Sequence, residues 1–324
     1  MFHNLSLEEL IQTDFLRPPR KTAPTVLYSM SWEVHTSKEL VKHVDFMNKY
    51  WSLSILIAVA YIFIIFYVQE LMEGRKPFKL KRSLIAWNSA LAIFSIMGAL
   101  KGVPFVISDT FNLGLSSVIC YTSFMCDGCE SAPIWVYLFA YSKVVELADT
   151  LFVVLRKKPL IFLHWYHHAT VLIYTWYAVG MITPGGTYFI SMNFTVHAMM
   201  YTYYAIRAAE LHVPRRIQMA LTLCQIVQMF LGIFINVKSI QYKRRFGESC
   251  MVHYSGIVAS IGMYASYCVL FSLFFYKAYV KKERQTEVLS PAFLLKRIAS
   301  LFKKAVPNDW KFPGIASELS RKTE

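Results

Sequence analysis

The stretch LIFLHWYHHATVLIYTWYAVG, Leu160–Gly180, decides how the rest of the chain is read. It is apolar enough to lie in a bilayer, yet it holds His164, His167 and His168. An ionisable ring in hydrocarbon is expensive and therefore rare unless it has a task. Working outward, six further apolar runs flank this one, at roughly 50–70, 84–107, 133–155, 187–206, 217–237 and 255–279. Each is near the ~20 residues that a helix needs to cross a membrane. With 56% hydrophobic and only 17% charged residues among 324, the expected fold is an all-α membrane protein of seven transmembrane helices. The expected domains are an N-terminal tail over 1–48, a seven-helix catalytic domain over 49–280 and a tail over 281–324.

The net charge of +14 reads as a topology signal rather than a nucleic-acid footprint. The opening residues MFHNLSLEEL have neither a basic nor an apolar signal region, so the first span is expected to serve for insertion. Lys and Arg gather in RKPFKLKR (75–82), RKK (156–158), at Arg207, Arg215 and Arg216, and in KKER (281–284). The opposing loops at 108–132 and 180–186 carry none, and only VKSIQYKRRFGESC (237–250) runs against the pattern. The positive-inside rule then puts the N-terminus outside the cytosol and the C-terminus within it. On that topology Asn4, in NLS, is a glycosylation acceptor.

Cys120 and Cys250 fall on the same non-cytosolic side, where a bridge between two loops and a pair of free thiols both fit. CDGC at 126–129 is a single pair and a weak signal for metal or redox chemistry. In SPAFLLKRIASLFKKA (290–305), Leu294, Ile298, Leu301 and Phe302 form one face with basic residues beside it. That pattern suits a helix lying on an anionic leaflet or one packed on the protein's own surface. The chain ends in SRKTE, where Lys322 and Arg321 make a partial dilysine retrieval signal; a solvated tail is the plain alternative.

Four spans carry polar stripes. Lys143, Glu146 and Asp149 recur every three residues in one, and Asn193, His197 and Tyr201 every four in another. Gln225 and Gln228 stand three apart in a third, and the histidine run makes the fourth. Counting about 1.5 Å per residue from the nearest cytosolic cation puts His167, Glu146, His197 and Gln225 all roughly 13–15 Å deep. Independent polar accidents would scatter in depth, so one buried site is expected. Plainer roles exist for parts of it: Asn193, Gln225 and Gln228 as interhelical glue, Lys143 with Glu146 as an ion pair, Tyr201 and Tyr204 as packing. His212 and His253 read as loop residues, and His3, His35 and His43 as tail residues.

Two chemistries suit the cluster. His164 and His168 share a helix face with His167 beside them, so two or three imidazoles could hold a metal. Alternatively, imidazole serves as nucleophile and acid–base catalyst on an acyl group.

KVVELADT resembles the KxxExxDT motif of the very-long-chain fatty acid elongases, HWYHH their HxxHH box, NFTVHAMMYTYY their NxxxHxxMYxYY motif and TLCQIVQ their TxxQxxQ motif. The four stand in the right order over residues 45–285, and IFLHWYHHATVLIYTWY resembles the subgroup that extends saturated and monounsaturated acyl groups. The resemblance implies a condensing enzyme, an acyltransferase of the endoplasmic reticulum, that joins a fatty acyl-CoA to malonyl-CoA and releases 3-oxoacyl-CoA, carbon dioxide and CoA. It implies that the last six helices enclose an acyl tunnel open to the cytosol. His167 falls on the position thought to take the acyl group, with His164, His168 and His197 in the same chemistry. Lys143, Glu146, Asp149, Asn193, Tyr201, Gln225 and Gln228 would meet substrate. No metal or other cofactor is implied. Arg156, Lys157, Lys158, Arg207, Arg215 and Arg216 supply a basic rim for the CoA phosphates. Expected partners are membrane lipid, the reductase, dehydratase and enoyl-CoA reductase of the elongation cycle, and a second copy of the chain. Two other classes compete. A metal-dependent lipid oxidoreductase would bind iron and lose activity on chelation, and a seven-helix receptor or transporter would show no condensation.

Overall fold

The computed structural model describes residues 31–33, 37–121 and 132–281. Asn4, Cys126 and Cys129, the basic helix expected at 290–305 and Lys322 lie outside the described residues. Among the described residues the regular structure is helical: α1 (Ser37–Tyr50), α2 (Leu53–Leu71), α3 (Lys81–Leu113), α4 (Leu115–Cys120), α5 (Ala132–Val145), α6 (Ala148–Leu155), α7 (Phe162–Gly180), α8 (Gly186–Ala208), α9 (Arg215–Phe246) and α10 (Tyr254–Phe275). Four helices, Leu53–Leu71, Lys81–Leu113, Arg215–Ser249 and Tyr254–Val280, are long and apolar enough to cross a membrane. The chain is a multi-pass membrane protein. Of the other three expected spans, one is divided into α5 and α6, and α7 and α8 carry His164, His167, His168 and His197.

The helices pack in a closed order: α5 on α3 and α7, α7 on α10, α10 on α9, α9 on α8, and α8 back on α3. α2 packs on α6 and α7 from outside this ring. Its sequence is apolar on every side, but only Ser54, Ala58, Tyr61 and Ile65 are buried, a single stripe at helical spacing. Beside that stripe Ile57, Ile62 and Phe66 pack partly against the core, and Leu56, Phe63, Ile64 and Tyr67 are exposed. The α3–α8 contact is close because α3 presents Gly98 and Gly102 to it. A Cβ on Gly98 would come within 2.6 Å of the Phe194 ring, and one on Gly102 within 2.7 Å of Ser191 Oγ. Small residues admit such approach between membrane helices.

Two segments read as loops are helical. No strong breaker follows Val237 until Gly247, whose φ of +56° ends the helix, so α9 runs through Phe246 and takes Lys243 and Arg244 with it. Likewise α3 continues to Leu113 and stops at Gly114, with φ +81°. Beyond these ends, Cys120 and Cys250 form a disulfide with Cα atoms 4.5 Å apart, and Met251 N–H donates to the Cys120 carbonyl.

The segment before the first span is not all tail. α1 lies against α5 and α7: Asn48 Nδ2 donates to the Gly180 carbonyl at 3.0 Å. His43, expected in the tail, instead stacks on Tyr137 with centroids 5.1 Å apart and bonds Tyr141 Oη at 3.1 Å. Its apolar neighbours Val44 and Met47, buried on the same helix, explain the docking. Further back, Glu33 is fully buried and accepts from Lys101 Nζ at 2.9 Å and from Trp135 Nε1 at 2.8 Å. A lysine inside the second span is thus matched by a carboxylate from before the first.

Candidate functional site

The span that carries Lys143, Glu146 and Asp149 does not form one continuous helix. Around Glu146 the backbone bonds tighten to i→i−3: Leu147 N–H to Val144 O, Asp149 N–H to Glu146 O and Thr150 N–H to Leu147 O. The arc read from the three-residue spacing is therefore interrupted, and the two carboxylates go to different partners.

Glu146 sits in an ionic centre with α8. Lys143 Nζ donates to both carboxylate oxygens, at 2.8 and 3.0 Å, and to Asn193 Oδ1 at 3.1 Å. The ammonium also lies 4.1 Å from the Phe139 ring centroid, and Ser142 Oγ donates to Glu146 Oε1. Both ions are nearly inaccessible, at 2% and 3%, so their mutual bonds are what makes burial tolerable. His197 Nδ1 stands 3.8 Å from Glu146 Oε2. Asn193 and His197, one turn apart on α8, thereby meet Lys143 in the last turn of α5 and Glu146 at the break just beyond it.

Asp149 forms a second clamp. Trp87 Nε1 from α3 donates to its Oδ1, and Tyr201 Oη from α8 donates to its Oδ2 at 2.7 Å. The spacing of four on α8 is thus used in register, Asn193 to Lys143, His197 to Glu146 and Tyr201 to Asp149.

The histidines of α7 form a third group. His164 and His168 have ring centroids 4.6 Å apart, and His168 and His167 5.5 Å. The His167 ring packs on Tyr267 of α10 at 4.8 Å, and Tyr267 Oη bonds Thr170 Oγ1 at 2.6 Å. His164 Nε2 is 2.9 Å from Thr150 Oγ1, which is 2.7 Å from Tyr61 Oη. Among the described residues His168 Nδ1 is buried without a hydrogen-bond partner. Buried polar atoms are nearly always paired, so an unpaired imidazole nitrogen here is exceptional. No group of three or more His, Cys, Asp or Glu is arranged to hold a metal ion among the described residues.

The glutamines stand apart from this centre. Gln225 Nε2 reaches only Met200 Sδ, at 3.5 Å, and Gln228 bonds Tyr264. Tyr264 lines an apolar cavity between α5, α7, α8 and α10, together with Phe139, Val171, Val179, Ile190 and Asn193. Asn193 therefore belongs to both the ionic centre and the cavity wall. Val171 and Tyr174, also on the wall, lie one and two turns beyond His167 on the same helix.

Of the six basic residues expected at a CoA rim, two are held by the protein. Lys157 Nζ donates to the Glu73 and Arg75 carbonyls at 2.9 and 3.2 Å, and Arg215 donates to the Ala278 carbonyl at 3.0 Å. The side chains of Arg156, Lys158, Arg207 and Arg216 make no hydrogen bond or ion pair among the described residues; they stand just after α6, in the last turn of α8 and in the first turn of α9. Trp87, Thr150, Tyr61 and Tyr267 were not among the expected site residues. Thr150 lay within KVVELADT, but the aromatics looked like ordinary span residues.

The family model for ELO: GNS1/SUR4 matches residues 46–287, which include every helix of the ring. The chain belongs to the fatty acid elongase family. Among relatives of this elongase chain, "Putative fatty acid elongase 3" of Caenorhabditis elegans is 43% identical over 264 residues, 81% of either chain. "Very long chain fatty acid elongase 6" of Mus musculus is 41% identical over 245 residues, 75% of this chain and 90% of the relative. The Drosophila melanogaster protein of that same name is 42% identical over 260 residues, 78% and 82%. The function they share in name is fatty acid elongation. All three polar groups fall within the matched elongase residues.

Proposed function

We propose that the chain is the condensing enzyme of fatty acid elongation, a 3-oxoacyl-CoA synthase joining a long-chain acyl-CoA to malonyl-CoA. The observation that carries the reading is an apolar cavity that shares Asn193 with the buried centre of Lys143 and Glu146, and whose wall residues Val171 and Tyr174 stand one and two turns beyond His167 on α7. An acyl chain running along the cavity away from Asn193 would leave its thioester carbon beside the histidines.

His167 takes the acyl group. An imidazole nitrogen attacks the thioester carbon, a C–N bond forms, the C–S bond breaks, and CoA leaves as thiol with the imidazole proton. Acyl-imidazole is an activated donor and keeps most of the thioester's driving force. Decarboxylation of malonyl-CoA gives carbon dioxide and an enolate, whose carbon attacks the held acyl carbon. A C–C bond forms, the C–N bond breaks, the departing imidazolate takes up one proton drawn from solvent by way of His197, and 3-oxoacyl-CoA is released with His167 restored. His197, His164 and His168 handle protons and orientation. No metal takes part. Water would hydrolyse the intermediate, which calls for a dry chamber. Six helices, α3 and α5 to α10 with α5 and α6 counted as one span, enclose it as a tunnel, and α2 is the seventh span. Arg156, Lys158, Arg207 and Arg216 bind the CoA phosphates at the cytosolic mouth.

The setting is the endoplasmic reticulum membrane, N-terminus luminal, as part of a cycle with the reductases and dehydratase and with a second copy of the chain. The subgroup resemblance favours saturated and monounsaturated substrates. The deciding experiment gives purified protein a panel of acyl-CoAs with labelled malonyl-CoA and scores 3-oxoacyl-CoA. Activity that tracks added iron, or transport without condensation, overturns the proposal.

A further inference from the structure

We infer that Tyr61, on the helix outside the ring, is a positioning residue for the histidine cluster and acts through Thr150 to fix which nitrogen of His164 carries the proton. The inference rests on the reading of that cluster as the condensing centre.

Three hydroxyl and imidazole atoms from three helices form a line. Tyr61 Oη of α2 lies 2.7 Å from Thr150 Oγ1 of α6, and Thr150 Oγ1 lies 2.9 Å from His164 Nε2 of α7. Thr150 is fully buried and Tyr61 is 6% exposed, so water does not compete for these groups. Tyr61 makes no second hydrogen bond among the described residues. A phenol is a good donor and, with its lone pair drawn into the ring, a poor acceptor. Its proton therefore goes to Thr150 Oγ1, the one acceptor in reach among the described residues. A hydroxyl that receives this proton directs its own to the remaining neighbour, His164 Nε2. Nε2 is then an acceptor, and the neutral ring carries its proton on Nδ1. The opposite direction would leave the Tyr61 proton buried without an acceptor, which is the costly arrangement.

The consequence reaches the centre because His164 is packed 4.6 Å from His168, which is 5.5 Å from His167. A ring bonded at Nε2 cannot swing or exchange its tautomer, and the rings behind it are held in turn. Without the Tyr61 proton, Thr150 can reverse its hydroxyl and accept from His164 Nε2, so that both tautomers are populated. Tyr61 is well placed to do this and nothing more: Tyr61→Phe keeps the ring packing of α2 and deletes only one proton donor.

The test compares Tyr61→Phe, Thr150→Val and Thr150→Ser in the full-length protein. Solid-state 15N NMR of histidine-labelled protein reads the tautomer, with the His164 signals identified by their loss in His164→Asn. Wild type and Thr150→Ser are expected to show a single Nδ1-protonated His164. Tyr61→Phe should show a mixture, and Thr150→Val should lose the Nε2 bond altogether. In condensation assays Tyr61→Phe should lower kcat roughly 3- to 10-fold, the size expected of one buried hydrogen bond, with KM for both substrates unchanged. Thr150→Ser should restore kcat where Thr150→Val lowers it. An unchanged His164 spectrum and unchanged kcat in Tyr61→Phe would show that Tyr61 merely glues α2 to α6, and would overturn the inference. If wild type performs no condensation, the functional reading fails, while the spectra still decide the hydroxyl line. Should Tyr61→Phe fold poorly, the Thr150→Ser and Thr150→Val pair decides the same question: identical His164 spectra and kcat in the two would overturn the inference.

Discussion

His197 Nδ1 and Glu146 Oε2 stand 3.8 Å apart, too far for a hydrogen bond, while Lys143 Nζ donates to both oxygens of Glu146 at 2.8 and 3.0 Å. Glu146 thus serves Lys143 first and His197 only as a nearby charge. Removing the carboxylate leaves a buried ammonium with one amide oxygen and a ring face. Glu146→Leu should destabilise the protein by about 3–5 kcal/mol, as breaking a buried pair does. Lys143→Met with Glu146→Leu should regain most of that stability without regaining condensation. Thermal unfolding in detergent beside an activity assay separates the two. Equal activity in the double variant and wild type would show that the pair only supports the fold.

The acyl carrier is tested on His167. His167→Ala should reduce condensation to background, and incubating wild type with acyl-CoA alone should add the acyl mass to a peptide containing Leu160–Gly180. The adduct should vanish in His167→Ala and disappear from wild type on adding malonyl-CoA. An adduct that persists without His167 would move the acyl group to another residue.

The histidines and the acidic stripe were legible in the sequence because polar groups are conspicuous in an apolar run. Counting residues at a constant helix rise brings Glu146 and His197 to one level, and the two stand 3.8 Å apart. What the sequence hid were polar tips on apolar-looking residues: Tyr61 and Trp87 are span aromatics until their hydroxyl and N–H are seen to meet Thr150 and Asp149. The break after Val145 was hidden as well, because neither glycine nor proline marks it and the cause is tertiary. Lys101 was visible as a cation in a span, but its partner Glu33 lies before the first span, and no local spacing links them. The helices outrun the span ends at 107 and 237, because the polar residues beyond those points interrupt the apolar run without breaking the helix. The fold was legible to the level of helices in order; the pairing between them was not.

Close approach of α3 and α8 predicts a contrast between two glycines. Gly98→Leu would drive a side chain into the Phe194 ring, whose neighbour Phe139 packs 5.1 Å away and lines the cavity. Overpacking of this kind costs about 1–3 kcal/mol. Gly262 has nothing within 4 Å of the position its Cβ would take, so Gly262→Ala should leave stability within about 0.5 kcal/mol of wild type or raise it slightly. Unfolding temperatures of the two variants check the contrast. A neutral Gly98→Leu would mean that α3 and α8 can part without loss.

The orientation proposed for the membrane follows from charge and is open to direct labelling. Arg216 lies at the start of α9 and Arg245 near its end, 29 residues or about 44 Å of helix away, which exceeds the ~30 Å hydrocarbon thickness. The two positions must therefore emerge on opposite sides if α9 crosses. Both side chains are exposed, so a cysteine at either is free to react. In sealed microsomes, a membrane-impermeant maleimide should label Arg216→Cys from outside, whereas Arg245→Cys should require permeabilisation. The disulfide partner Cys250 lies five residues beyond Arg245, so the luminal assignment also places that bridge where oxidising conditions preserve it. Parent protein provides the background from its own cysteines: Cys224 and Cys268, partly buried within α9 and α10, and Cys126 and Cys129 outside the described residues. Labelling of Arg245→Cys without permeabilisation, with Arg216→Cys protected, would invert the topology and remove the cytosolic CoA rim from the mechanism.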